Sequence, residues 1–176
     1  MTQEFFWIAG TISFVVFLLL VFFWGAYNTF IQKKNQVKTD YSDITVQLKR
    51  KGDLIDKLVD LTKDYAKHEK DTFEGVAEAR SALDTSKGAH QTAKAENMLT
   101  DTLRSLFMVV ESNPQLKANE NYLALRSDLT STEDVLAKYR EEYNLTVQDY
   151  NNTIQTFPNL LAARIFGFTQ EELFAA

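Results

Sequence analysis

The chain has 176 residues, 45% of them apolar and 24% charged, with 19 Lys+Arg against 24 Asp+Glu, six Gly, two Pro and no Cys. The length suits one ordinary domain, and the missing cysteines exclude a disulfide framework and a Cys-based zinc site. So few Gly and Pro argue against a turn-rich β-sandwich, and a net charge of −5 argues against a nucleic-acid binder, which presents a basic face.

In chain order, the first 32 residues contain one charged side chain, Glu4, and no Lys or Arg. Phe5–Trp24 reads FFWIAGTISFVVFLLLVFFW, and twenty residues of helix rise about 30 Å, the thickness of a bilayer's hydrocarbon core. Fourteen of its positions are Phe, Ile, Leu or Val. At their usual transfer values these favour insertion by at most about 4–8 kcal/mol. Trp7 and Trp24 lie about 25 Å apart on a helix, where interfacial aromatics sit, with Phe5 and Tyr27 outside them. No basic n-region or small-x-small cleavage site is present, so the segment reads as an uncleaved anchor rather than a signal peptide. Lys33, Lys34 and Lys38 follow it directly. The positive-inside rule then places the N-terminus outside and the remainder in the cytoplasm.

Beyond the span the apolar spacing is helical. Phe30, Val37, Tyr41, Ile44, Leu48, Ile55, Leu58, Tyr65 and Val76 stripe one face, predicting a helix from the membrane to about Leu83, with Gly52 inside it. Asp84–Thr92 (DTSKGAHQT) is the expected turn. A second helix over Ala93–Ser112 ends at Asn113-Pro114, since the residue before Pro is pushed from the α region. The third has the cleanest period, from Tyr122 through Leu129, Thr132, Leu136, Tyr143, Val147, Tyr150 and Ile154 to Phe157, stopped by Pro158. Helices of about 55, 20 and 40 residues cannot stack evenly at 1.5 Å per residue. Either the first bends at Gly52 or His68–Thr72, or the third breaks near Thr130–Thr132, and the unbroken seam favours a continuous third helix. NLLAARIFGF then reads as a short helix covering the bundle's open end, and Thr169 and Glu172 have the spacing of a capping box in a last turn. The expected class is all-α: an N-terminal transmembrane anchor (1–32), then a domain (33–176) of three long antiparallel helices and a short C-terminal one.

Chemistry is hard to find in this pattern. His68-Glu69 lacks the second His of HExxH, His90 falls in a turn, and no Gly-rich loop or nucleophile elbow is present. Carboxylates read as solvent-facing. Lys49-Arg50-Lys51 reads as a solvated face or partner contact, with Arg50 and Asp53 spaced to pair. No cofactor or metal is expected. Tyr143-Asn144 and Tyr150-Asn151, seven residues apart, share one side of a helix. Their amides either fix register across the bundle or form a polar strip that receives a partner helix or small ligand. Their two N-x-T sequons carry no glycosylation signal in a cytoplasmic bundle.

At these residues the chain resembles the LemA family of single-span bacterial membrane proteins. The resemblance runs from about Tyr27 through Phe174. It rests on VQLKRKGDLIDKLVDLTKDYAKHE (Val46–Glu69), EARSA, VVESNPQLKANENYLAL, TSTED, YREEYNLTVQDYNNTIQTFPN and IFGF. Gln47, Arg50, Asp53, the two Tyr-Asn pairs, Phe157-Pro158 and Gly167-Phe168 carry it most specifically and are the expected contact or register positions. Where the family often has Pro-Asn after DLI, this chain has Asp56-Lys57, which straightens the first helix there. The resemblance implies an anchor, a mostly cytoplasmic helical body and no established enzymatic activity. Family genes often lie beside those of membrane-bound metalloproteases, which implies an adaptor in envelope maintenance. The expected partners are the lipid bilayer, membrane or cytoplasmic proteins and other copies of the chain, with no nucleic acid. The alternative reading is a membrane-tethered sensor with a small ligand in its bundle.

Overall fold

The computed structural model describes residues 2–63, 65 and 70–175, apart from the side chains of Thr2 and Phe5. Its elements are α1 (Thr2–Lys63), α2 (Lys70–Thr85), α3 (Gly88–Glu111), the short α4 (Pro114–Lys117), α5 (Glu120–Gln155) and α6 (Asn159–Phe166), with no strand among the described residues. The fold is all-α, as expected. Packing divides the chain into two compact units: Met1–Lys38 with Thr146–Glu171, and Thr39–Leu145 with Glu172–Ala176.

In the first unit, α1 exposes a run of large apolar side chains from Phe6 to Trp24, Trp7 at 78% and Trp24 at 72%. No residue in its most apolar window is buried, and the helix is long and apolar enough to cross a membrane. Thr11 donates its hydroxyl to the Trp7 carbonyl at 2.8 Å, so this polar group is satisfied within the helix and adds little to the cost of entering lipid. Farther along, Phe30 is fully buried and meets Phe168 edge-on at 5.2 Å between centroids. Tyr27 packs on Phe166 and Phe168. α6 ends at Gly167, whose φ of 73° is left-handed, and Phe168 N–H returns to the Ala163 carbonyl at 2.9 Å. This reversal is what a glycine after a helix supplies without side-chain strain.

In the second unit, the residue order of the contacts sets the helix directions. Tyr41 meets Thr92 and Lys51 meets Thr100, each at 2.8 Å, so α1 and α3 run the same way. Ser86 meets Thr92 and Gly75 lies beside Thr102, so α2 opposes α3. Phe107 packs on Tyr122 and Arg140 pairs with Glu96, so α5 opposes α3 as well. The result is an up-down-up-down helical arrangement around a core that includes Ile55, Leu58, Leu99, Leu106, Leu116 and Leu129.

The helix expected to continue to Leu83 therefore ends at Lys63, and α2 returns along it. Folding back buries Val76 and Ala79, which a straight continuation of α1 would carry away from the core. Gly52 does not interrupt α1, and the Asp56-Lys57 stretch is straight helix. His68-Glu69 lies outside the described residues. The α2–α3 turn is Ser86-Lys87, shorter than expected, with Gly88 reversing the chain at φ 79°. Asn113 is extended before Pro114. Asn119 caps α5, its side-chain oxygen accepting from Asn121 N–H at 2.9 Å. α5 is continuous through Thr132, which is itself buried.

Candidate functional site

The Tyr-Asn pairs receive neither a helix nor a ligand: each holds an extended piece of this chain's own tail. In the first unit, Tyr150 donates its hydroxyl to the Thr169 carbonyl at 2.9 Å. The Asn151 amide donates to the Glu171 carbonyl and accepts from the Glu171 N–H, both at 2.9 Å. In the second unit, Tyr143 donates to the Glu172 carbonyl at 2.8 Å. The Asn144 amide donates to the Phe174 carbonyl at 3.3 Å and accepts from its N–H at 2.8 Å.

An asparagine side chain presents one donor and one acceptor side by side, the same pair that a neighbouring β-strand offers. Each clasp thus fixes a carbonyl at one tail position and both backbone groups two positions later. Seven helical residues rise about 10.5 Å and three extended ones about 10 Å, so the spacings on α5 and in the tail are commensurate. The tail over Thr169–Glu172 is accordingly extended rather than a capped helical turn. Its backbone groups find partners on α5 that outcompete those of a short helix.

Around the first clasp, Lys33 pairs with Asp149 and Lys34 with Glu171, the latter at 3.1 Å. Burial pushes the Tyr150 hydroxyl above its ordinary pKa, opposed by Lys34 and reinforced by Glu171. Around the second, Phe174 is buried and meets Tyr143 edge-on at 6.4 Å, and His90 Nδ1 lies 3.0 Å from the Ala175 carbonyl. As that carbonyl only accepts, the tautomer with Nδ1–H is the one that bonds.

The second unit also holds a feature that sequence reasoning missed. Lys51 is fully buried and Glu96 is 2% exposed. Lys51 Nζ contacts Glu133 at 2.5 Å, Thr100 at 2.8 Å and Glu96 at 3.7 Å, and Arg140 reaches Glu96 at 2.8 Å. Two cations and two carboxylates from α1, α3 and α5 thus neutralise one another. Burial raises the Glu96 pKa, with Arg140 and Lys51 pulling it down and Glu133 pushing it up. Lys51 is therefore not a solvated face, and Glu96 does not face solvent. Periodicity did place both on core-facing turns, but charge was read as exposure.

The remaining expected positions are dispersed. Asp53 pairs with Arg80 at 3.2 Å rather than with Arg50, which is exposed, and Arg80 also reaches Asp56 at 3.4 Å. The Arg80 guanidinium crosses directly over Gly52, where a Cβ would stand 1.8 Å from Nη1. The helix accepts glycine's entropic cost there because the arginine occupies that space. Gln47 Oε1 is buried without a hydrogen-bond partner. Phe157, expected in the seam, is 81% exposed, because the helix ends at Gln155 and the chain turns at Phe157-Pro158. Gly167 and Phe168 serve the turn and packing described above. Phe5's side chain lies outside the described residues. No group of His, Asp or Glu that could hold a metal occurs among the described residues.

Fold and site together define a class: an all-helical protein with one helix of membrane-crossing length, whose polar interior is spent on holding its own chain together. A family model for the LemA family matches residues 40–176, and the chain belongs to the LemA family. Magnetosome protein MamQ 2 of Paramagnetospirillum magneticum is 24% identical over 193 residues, covering 95% of this chain and 69% of that protein. MamQ of Magnetospirillum gryphiswaldense is 23% identical with the same coverage. Protein LemA of Metamycoplasma hominis is 26% identical over 154 residues, 82% of this chain and 69% of its own length.

Proposed function

We propose that this protein is a membrane-anchored helical scaffold that binds other proteins at the bacterial inner membrane, in the service of envelope maintenance. Residues 1–32 are its anchor, with the N-terminus outside, and 33–176 its cytoplasmic domain. The observation that carries the reading is the fully exposed apolar run Phe6–Trp24 on a helix that continues into a packed helical body. An apolar surface of that size has a place in lipid and none in water. The family and the all-helical fold support a non-enzymatic role, and the titratable groups that cluster do so as mutually neutralising pairs. The small-ligand alternative loses its strip, since the Asn144 and Asn151 amides are occupied by the tail.

Two measurements on intact cells test this. The chain should pellet with membranes and resist alkaline carbonate extraction, and photo-crosslinkers placed on exposed positions of α5, such as Leu145 and Gln148, should capture discrete partners. A chain dispersed in the soluble fraction, or one with no crosslinked species from any such position, overturns the reading.

A further inference from the structure

We propose that Tyr143, Asn144 and His90 form a peptide-binding site, and that its present occupant, the segment Glu172–Ala175, is exchangeable for the same segment of a second copy of the chain. The proposal deepens the scaffold reading by giving it a contact site and a partner. The argument begins with what the site reads. Its polar contacts all go to main chain: the Glu172 carbonyl, the Phe174 N–H and carbonyl, and the Ala175 carbonyl. Only one occupant side chain, Phe174, is buried, whereas Leu173 is 41% exposed.

This is the chemistry of extended-peptide recognition, in which backbone bonds supply affinity and a seated side chain supplies selectivity. Such a site does not distinguish a tethered segment from a free one of the same sequence. Nor is it filled to capacity. A cavity of about 270 Å³ lies beside Phe174 and Ala175, bordered by Ala93, Glu96, Asn97 and Arg140. An incoming segment therefore has room to enter before the resident one has left.

The second copy is the occupant because its segment meets every requirement just described: an extended run, free of proline, with an aromatic at the seated position. Exchange of an identical element is also a low-cost route to association, since each bond lost in one copy is remade in the other. Copies held in one membrane with a shared orientation meet in two dimensions, which raises the frequency of that exchange.

The test uses the full-length chain in detergent micelles and a fluorescein-labelled peptide spanning Glu172–Ala176. Phe174→Glu should empty the seat, because a carboxylate is costly to bury there, while Asn144→Ala in that background removes the backbone clasp. A tethered occupant competes at an effective concentration of about millimolar. The Phe174→Glu chain should accordingly bind the peptide about tenfold or more tightly than the wild type, with binding lost in Phe174→Glu/Asn144→Ala. Equal binding by both variants, or none by either while each keeps its helical circular dichroism, overturns the site.

A second arm identifies the occupant. Immobilised Phe174→Glu chain should retain wild-type copies, and the double variant should not. If peptide binds but copies are not retained, the second-copy assignment falls. If cellular crosslinks to partners persist while no peptide binds, the scaffold reading stands without this site.

Discussion

Lys51→Met tests whether the buried ion network acts as a unit. Methionine keeps most of the lysine stem's volume and removes its ammonium. The hydrogen bond to Thr100 is lost, a net contribution of about 1 kcal/mol. Stripping one partner from a buried ion pair costs about 3–5 kcal/mol when the other charge is left uncompensated. Here Glu96 keeps Arg140 at 2.8 Å, and Glu133, whose side chain is 34% exposed, can turn to water. The expected loss therefore falls to about 2–3 kcal/mol.

Glu96→Gln should cost about 1 kcal/mol, since the amide still accepts a hydrogen bond and Lys51 retains Glu133. In the double variant neither buried charge remains, so the combined loss should be smaller than the sum by about 1–2 kcal/mol. The assay is chemical denaturation of the full-length chain in micelles at neutral pH, followed by circular dichroism. Additivity within about 0.5 kcal/mol would mean the charges do not communicate and would refute the reasoning.

Glu96 also makes stability pH-dependent. Its folded pKa is raised, so its stabilising contribution is complete below the unfolded value and is lost as pH rises through the folded one; denaturation midpoints at several pH values should decline across that window in the wild type and flatten in Glu96→Gln. Gly52→Ala should change stability by less than about 1 kcal/mol, because a gain of about 1 kcal/mol in helix propensity offsets displacement of Arg80 from two half-exposed carboxylates; a loss above about 2 kcal/mol in the same denaturation assay would mean that Arg80 cannot swing aside. Asn151→Ala should leave α5 intact and speed hydrogen exchange at the Glu171 amide by about tenfold, the equivalent of one hydrogen bond; unchanged protection there would show that the clasp does not hold the tail.

What the sequence made legible follows from which physical signal each feature leaves. The apolar span and the α5 seam are repeated signals, and Leu129, Leu136, Val147 and Ile154 are all buried as their period requires. The end of α1 at Lys63 leaves no such mark. No Gly or Pro stands there, and the reversal is driven by burial of Val76 and Ala79, which is a tertiary effect. Lys51 and Glu96 were hidden because a charged side chain on a core-facing turn looks like noise until its partners on other helices are known. The Tyr-Asn spacing did mark the site. Its occupant was hidden, since TQEELF has capping and helical signals of its own that the asparagine amides override.

The clasps attend to backbone and, at one place, to an aromatic ring, and this makes the tail unequally tolerant of genetic change. Glu171 and Glu172 offer main-chain atoms to Asn151 and Tyr143, so single-codon replacements there, proline excepted, should pass with little consequence. Deleting Gln170 or Leu173 is different in kind. It shortens the two-residue step between the tyrosine-held carbonyl and the asparagine-held amide, and no change of side chain can restore that interval.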